Sequence, residues 1–160
     1  MIRQAGKQDI PRIAEIIVFG KRVAYRPIFN NDCVSFNELQ VVQLYEEYKN
    51  NPDRLDGMLI YDDGIVKGII NGRPIGDKVF EITDFYVEPF FVKQGIGTLL
   101  IKYLIQQVRQ KGGHKIVLWV VKDNRNARRF YEVNGFIDSG KTCIIEGTTK
   151  EDCLYEYILE

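Results

Sequence analysis

The stretch "VEPFFVKQGIGTLL" (residues 87–100) carries the first recognisable chemistry in the chain. It runs from a strand-like end through a short turn into Gly95-Ile96-Gly97, which opens an apolar helical stripe. Glycines in that place let backbone amides close around an anion at the positive end of a helix. Three such arrangements differ in what else they need. A dinucleotide fingerprint wants a third glycine, where Leu100 stands, and an early strand followed by an acidic residue about 20 positions on. A nucleotide P-loop wants Gly-Lys-Ser/Thr at the end of its loop, and this loop runs Gly97-Thr98-Leu99 instead. A pyrophosphate seated on the amides of residues 92–97 needs neither. A helix start that simply required small residues also fits, so Gly-x-Gly alone does not decide.

Residues 124–136, "NRNARRFYEVNGF", do decide. They follow the glycine loop after one helix and one apolar strand, and the pair resembles the GNAT superfamily of acyl-CoA N-acyltransferases. That family's loop is written Gln/Arg-x-x-Gly-x-Gly/Ala after a strand ending Val-x-Pro. Its second motif is Asn-x-x-Ala-x-x-Phe/Leu-Tyr-Glu-x-x-Gly-Phe, matched here by Asn124, Ala127, Phe130, Tyr131, Glu132, Gly135 and Phe136. The order of elements agrees over nearly the whole chain. One departure stands out: Val92 occupies the Gln/Arg position. Valine removes a side-chain contact but keeps the N–H, so weaker or differently organised pyrophosphate binding is expected.

The resemblance implies transfer of an acetyl group from acetyl-CoA to a primary amine of a small molecule or protein, in a ternary complex and without a metal. Such a transfer requires a positioned donor, a deprotonated amine, a stabilised oxyanion and a proton for the departing thiolate. By resemblance, the strand ending at Val87 splays from the strand 116–121 and admits the pantetheine arm. Backbone groups of Phe85, Tyr86 and Val87 would pair with that arm, and an N–H there would serve the oxyanion. Val92, Lys93, Gln94, Gly95, Ile96, Gly97 and Thr98 would take the pyrophosphate, with Asn124, Ala127, Phe130 and Tyr131 completing the cofactor site. Tyr131 is the candidate general acid, since a phenol with a pKa of about 10 is protonated at neutral pH; the same residue also reads as a core tyrosine beside Phe130. Glu81 is the candidate base, at a position matching the base glutamate of the family's histone-modifying branch. Asp84 lies three residues on, so an ideal strand points it to the opposite face unless a bulge intervenes. Ordered water is the third route. Asn124 either caps its helix or meets the cofactor. Lys93, Arg125, Arg128 and Arg129 could meet the nucleotide phosphates or form a solvated face. A rival of another class is a non-catalytic acyl-CoA-binding module, which Val92 favours and Tyr131 disfavours.

The elements that must position these residues come quickly. Ile2 to Ala5 reads as a strand. Asp9 then caps a helix with Pro11 in its first turn and Ile10, Ile13, Ala14 and Ile17 on one face. The stretch "KRVAYRPIFNNDCV" has no clear period. Ser35-x-x-Glu38 is a capping box for a second helix with Leu39, Val42 and Tyr45 on a stripe. Met58–Tyr61 and Ile65–Ile70 read as strands around Asp63-Gly64, "NGRPIGD" as the next turn, and Val79–Val87 as a third strand. Ile96, Leu99, Leu100, Tyr103, Leu104 and Val108 form a helical stripe that Gly112-Gly113 ends, just before His114, which carries no assigned chemistry. "IVLWVV" (residues 116–121) reads as a strand buried on both faces, with Trp119 in the core. Asn134-Gly135 closes the helix that Asn124 begins, and two strands follow. The order is β-α-α-β-β-β-α-β-α-β-β: an α/β (α+β) domain with a mixed sheet, helices on its faces and a central β-α-β unit. The resemblance makes that sheet mostly antiparallel.

Composition bounds the rest. With 160 residues this is one domain, and 22 basic against 22 acidic residues give no net charge, so no nucleic-acid-binding face is expected. The N-terminus carries scattered charge and no long apolar run, so neither a signal peptide nor a membrane span is expected. Cys33, Cys143 and Cys153 form no Cys-x-x-Cys pair and imply reduced thiols in a cytoplasm, with Cys143 and Cys153 in the core. His114 is the single histidine, which argues against zinc. In the resembled family the acceptor is set between the first two helices and by the last strands. Here those regions offer Tyr25, Arg26 and Phe29, with Tyr155 and Tyr157. The tail "CLYEYILE" would suit a sheet edge shared in a homodimer.

Overall fold

The structure, a computed structural model, describes residues 1–31 and 39–159. Cys33 and the Ser35 and Glu38 of the expected capping box lie outside them. Alternation and helical periodicity resolve into β1 (Ile2–Gln4), α1 (Ile10–Phe29), α2 (Val41–Asn50), β2 (Met58–Asp62), β3 (Val66–Gly76) and β4 (Val79–Val87), then α3 (Ile96–Gln110), β5 (Lys115–Val121), α4 (Arg125–Val133), β6 (Ile137–Ile144) and β7 (Glu151–Ile158). The strands form one sheet in the order β1-β2-β3-β4-β5-β7-β6. Every neighbouring pair is antiparallel except β4 and β5, which α3 joins as a parallel β-α-β crossover. This is the mixed, mostly antiparallel sheet expected. Ile70, Ile82, Leu100, Leu104 and Leu118 pack between sheet and α3. Ile13, Ile17, Leu44, Tyr48 and Ile69 pack on the opposite face, under α1 and α2.

Several expectations need correcting. The helix α1 continues to Phe29 through Pro27, which has no N–H to offer the Val23 carbonyl one turn earlier. It ends at Asn30 in the left-handed conformation, with the Asn30 N–H donating to the Arg26 carbonyl at 3.2 Å. In α2 the buried residues are Leu44 and Tyr48, whereas Val42 is exposed. "NGRPIG" is not a turn but the end of β3; the turn falls at Asp77-Lys78, with Lys78 at φ 59°. Leu99 is half-exposed, while Ile101 and Ile105 join the α3 core face. Cys153 is core, but Cys143 is exposed. The tail strand β7 lies between β5 and β6, so the free edge on that side is β6.

The Asp9 carboxylate caps no α1 N–H. It accepts from the Gly6 N–H at 2.8 Å and pairs with Arg3 at 2.8 Å, and Arg3 also pairs with Asp62 at 2.7 Å. These bonds, Arg3 foremost, hold the Asp9 carboxyl below its usual range. A carboxyl depressed in the fold adds stability above its unfolded value, near 3.9, and loses it as pH falls through the folded value. Asp9→Asn is therefore expected to lower stability at pH 7 by about 1–3 kcal/mol. In urea melts the gap to the wild type should close as the pH is taken down through the acid range.

Candidate active site

The strands β4 and β5 are paired at one end only. Val79, Phe80 and Glu81 face Lys115, Ile116 and Val117, and beyond them the ladder stops. On its other side β4 carries a bulge: Asn71 pairs with Asp84 but Gly72 pairs with Ile82, leaving Thr83 extra. Phe80, Ile82 and Phe85 all pack toward α3, a spacing only the extra residue permits. Glu81 and Asp84 consequently share the other face, as Asp84 in an ideal strand would not. The Glu88 N–H donates to the Lys67 carbonyl of β3 at 2.9 Å. Alternation then turns the N–H and C=O of Phe85 and Val87 away from β3, into the open splay.

The turn after β4 supplies a second set of open backbone groups. Lys93 and Gly95 are left-handed, at φ 63° and 82°. Among the described residues, no N–H from Val92 to Thr98 has an acceptor within the chain. Nothing lies within 4 Å of where a Gly95 Cβ would stand, and residues 92–95 are exposed, so the turn is open to solvent at the start of α3. Gly97 serves packing instead. A Cβ there would stand 3.3 Å from the Phe130 ring and 3.5 Å from that of Phe85, two rings that meet edge-on at 5.5 Å.

A cleft of about 660 Å³ runs from this turn along the splay. Phe85, Tyr86, Val87 and Val92 line one side, Leu118 and Trp119 the other, and Asn124, Ala127 and Tyr131 close one end. The Asn124 side chain accepts from the Ala127 N–H at 3.2 Å, the capping role expected of it. Tyr131 is wedged among Phe85, Phe130 and Phe136 at 5.6–6.3 Å between ring centres. Burial, and then the neighbouring Tyr25, push its pKa up, so the phenol stays protonated throughout the neutral range. An amide row for a pyrophosphate, open strand backbone for an amide-bearing arm and a cleft along the parted strands together fit an acyl-CoA.

A second cleft, of about 710 Å³, meets the first at Tyr25, Thr83, Tyr86 and Trp119. Tyr25 and Phe29 line it, whereas Arg26 lines another surface, with Pro27 and Asn30. Tyr25 and Tyr86 are hydrogen-bonded through their hydroxyls, and burial raises both pKa values. Gly20 makes room for Tyr86, because a Cβ there would lie 2.7 Å from its ring.

Other sequence expectations fare differently. Glu81 and Asp84 line neither cleft; Glu81 sits on the last paired rung of β4 and β5, opposite Arg73 of β3. Arg128 is already committed: its Nε donates to the Tyr155 hydroxyl at 3.0 Å and its other nitrogens reach Lys122 and Asp138. Arg125 does line the first cleft. Tyr155 is fully buried and Tyr157 packs on Phe136, so neither faces an acceptor space. Trp119 is not core: it is 41% exposed and borders both clefts. Sequence reasoning also missed Gly20, which makes room for Tyr86, and Asp152, which lines the second cleft. For Trp119 the available signal was its bulk and ring nitrogen within a run of small branched residues.

The chain matches the acetyltransferase (GNAT) family over residues 23–136, well over half its length, and belongs to that family. It is 33% identical over 89 residues to an uncharacterized N-acetyltransferase of Methanocaldococcus jannaschii, a match covering 47% of this chain and 39% of that one. The chain thus spans well under half the length of that relative. Among solved structures it is similar to the PaiA N-acetyltransferase of Thermoplasma acidophilum in complex with coenzyme A. The TM-score is 0.75 at 19% identity, covering 99% and 98% of the two chains. YncA of Salmonella typhimurium, solved with acetyl-CoA, has a TM-score of 0.73 at 21% identity, covering 100% and 94%. These likenesses establish the fold. No helix among the described residues is long and apolar enough to cross a membrane.

Proposed function

We propose that the protein is an N-acetyltransferase that moves the acetyl group of acetyl-CoA to a primary amine of a small molecule or protein, with donor and acceptor bound together. The observation that carries this reading is the meeting of two clefts at Thr83, Tyr86 and Trp119, where β4 and β5 part, with Tyr131 on the donor side. Complexes of the same fold with coenzyme A and acetyl-CoA support the choice of donor.

The free amides from Val92 to Thr98 would hold the pyrophosphate, without the side chain that Val92 lacks. The outward N–H and C=O groups of Phe85 and Val87 would bind the pantetheine arm as a strand is bound, and an N–H of this stretch would face the carbonyl oxygen as charge builds there. As the amine nitrogen bonds to the carbonyl carbon, the C–S bond breaks. Tyr131 gives its proton to the sulfur, yielding a thiol, and the proton lost by the nitrogen passes into water, from which the Tyr131 phenolate is reprotonated. Burial raises the phenol's pKa, so Tyr131 holds its proton until charge builds on the departing sulfur. Glu81 is the proposed base, and since it borders neither cleft it would take that proton through water. A homodimer, which the resemblance implies, would pair through β6 rather than the enclosed β7.

The test is amine-dependent thiol release from acetyl-CoA across a panel of primary amines. Release that requires both an amine and the protein is expected. Tight acetyl-CoA binding with no release for any amine would instead favour an acyl-CoA-binding module.

A further inference from the structure

The second cleft specifies what kind of amine it takes. Its walls are aromatic, from Tyr25 and Phe29 of α1, Tyr86 of β4 and Trp119 of β5. Asp152, the second residue of β7, lines this cleft and not the acyl cleft. It pairs across the sheet with Val121, two residues beyond Trp119 on β5, so Trp119 and Asp152 line the same face. Among the described residues the Asp152 carboxylate accepts no hydrogen bond and forms no ion pair, although it is half-buried. Burial alone raises its pKa, with no cation acting against it.

The same cleft holds Lys21 on α1 and Glu146 in the turn before β7. Among the described residues the charges of Asp84, Arg54 and Glu47 act on Lys21, and burial is the one influence on Asp152. Lys21 therefore leaves the Asp152 charge uncompensated. A carboxylate drawn partly out of water beside aromatic faces is a costly arrangement that an organic cation relieves, through the ion pair and through cation–π contact.

We propose that the acceptor is a diamine-class molecule: one primary amine is acetylated where the clefts meet, while a second cationic group rests against Asp152 and the Trp119 ring. This rests on the acetyl-CoA reading above. Two residues of strand rise separate the Trp119 rung from that of Asp152, roughly 7 Å, which an extended chain of about five or six single bonds spans. The transfer balances as before: one N–C bond forms, one C–S bond breaks, thiol and amide result, and the second amine keeps its proton.

The test compares 1,5-diaminopentane, 1-aminopentane and 6-aminohexanoate as acceptors with saturating acetyl-CoA, for the wild type and Asp152→Asn. The wild type is expected to favour the diamine in kcat/KM by about tenfold or more over the monoamine, with the anionic-tailed amine poorest. In Asp152→Asn the diamine-to-monoamine ratio is expected to fall toward about one, mainly through the KM of the diamine. Thermal melting and acetyl-CoA calorimetry on the variant confirm that fold and donor site survive. Equal use of diamine and monoamine, preference for 6-aminohexanoate, or an unchanged ratio in the variant would overturn the inference. So would a wild type that binds acetyl-CoA but neither binds nor acetylates 1,5-diaminopentane, and that result leaves the donor reading standing. Failure to bind acetyl-CoA at all overturns both.

Discussion

Tyr131→Phe is expected to lower kcat by about 10²–10⁴ while leaving acetyl-CoA affinity within a few-fold of the wild type. The phenol lines the donor cleft, stays protonated through the neutral range and has no hydrogen-bond acceptor among the described residues, so its proton is available to the leaving sulfur. Phenylalanine keeps the ring contacts with Phe85, Phe130 and Phe136, so the fold and the cleft walls persist. A leaving group that needs no proton should separate the roles. With an acetyl ester of an acidic aromatic thiol, which departs readily as thiolate, the variant should recover most of the wild-type rate. Equal losses on both donors would make Tyr131 a packing residue.

Gly95→Asp is expected to weaken acetyl-CoA binding by about 100-fold, roughly 2.7 kcal/mol. The position is left-handed, which aspartate tolerates better than most residues, and it is the N-cap of α3, where aspartate is among the preferred types. The new carboxylate would accept from the amides of this open turn and would repel a second anion. The helix is thus expected to hold while the anion site is filled. S-acetylpantetheine, which lacks the pyrophosphate, supplies the control: its much weaker use should differ little between variant and wild type. A loss shared equally by both donors would point to a general distortion of the turn.

What was legible in the chain was what short-range chemistry encodes. Gly95 marks a helix start as a left-handed N-cap, and Asn124 with Gly135 brackets α4, because caps and left-handed positions restrict residue type locally. The order of elements followed from periodicity. The second half of α1 was hidden because Pro27 and the charged Arg22 and Arg26 interrupt its stripe, and with it the helical placement of Tyr25 and Phe29 beside the clefts. Trp119 was misplaced because an unbroken apolar run reads as buried on both faces, and the parting of β4 from β5 that uncovers it is a long-range event. The Thr83 bulge and the isolation of Asp152 likewise depend on partners distant in sequence. Periodicity cannot reveal them.

The central claim is that the turn from Val92 to Thr98 and the splay beside it hold an acyl-CoA. Titration calorimetry of the protein with acetyl-CoA, CoA and ATP in parallel tests it most directly. Micromolar binding of both CoA species with ATP silent is the predicted result, because the site reads the pantetheine arm together with the pyrophosphate. No heat from either CoA species, or equal binding of ATP, would contradict it.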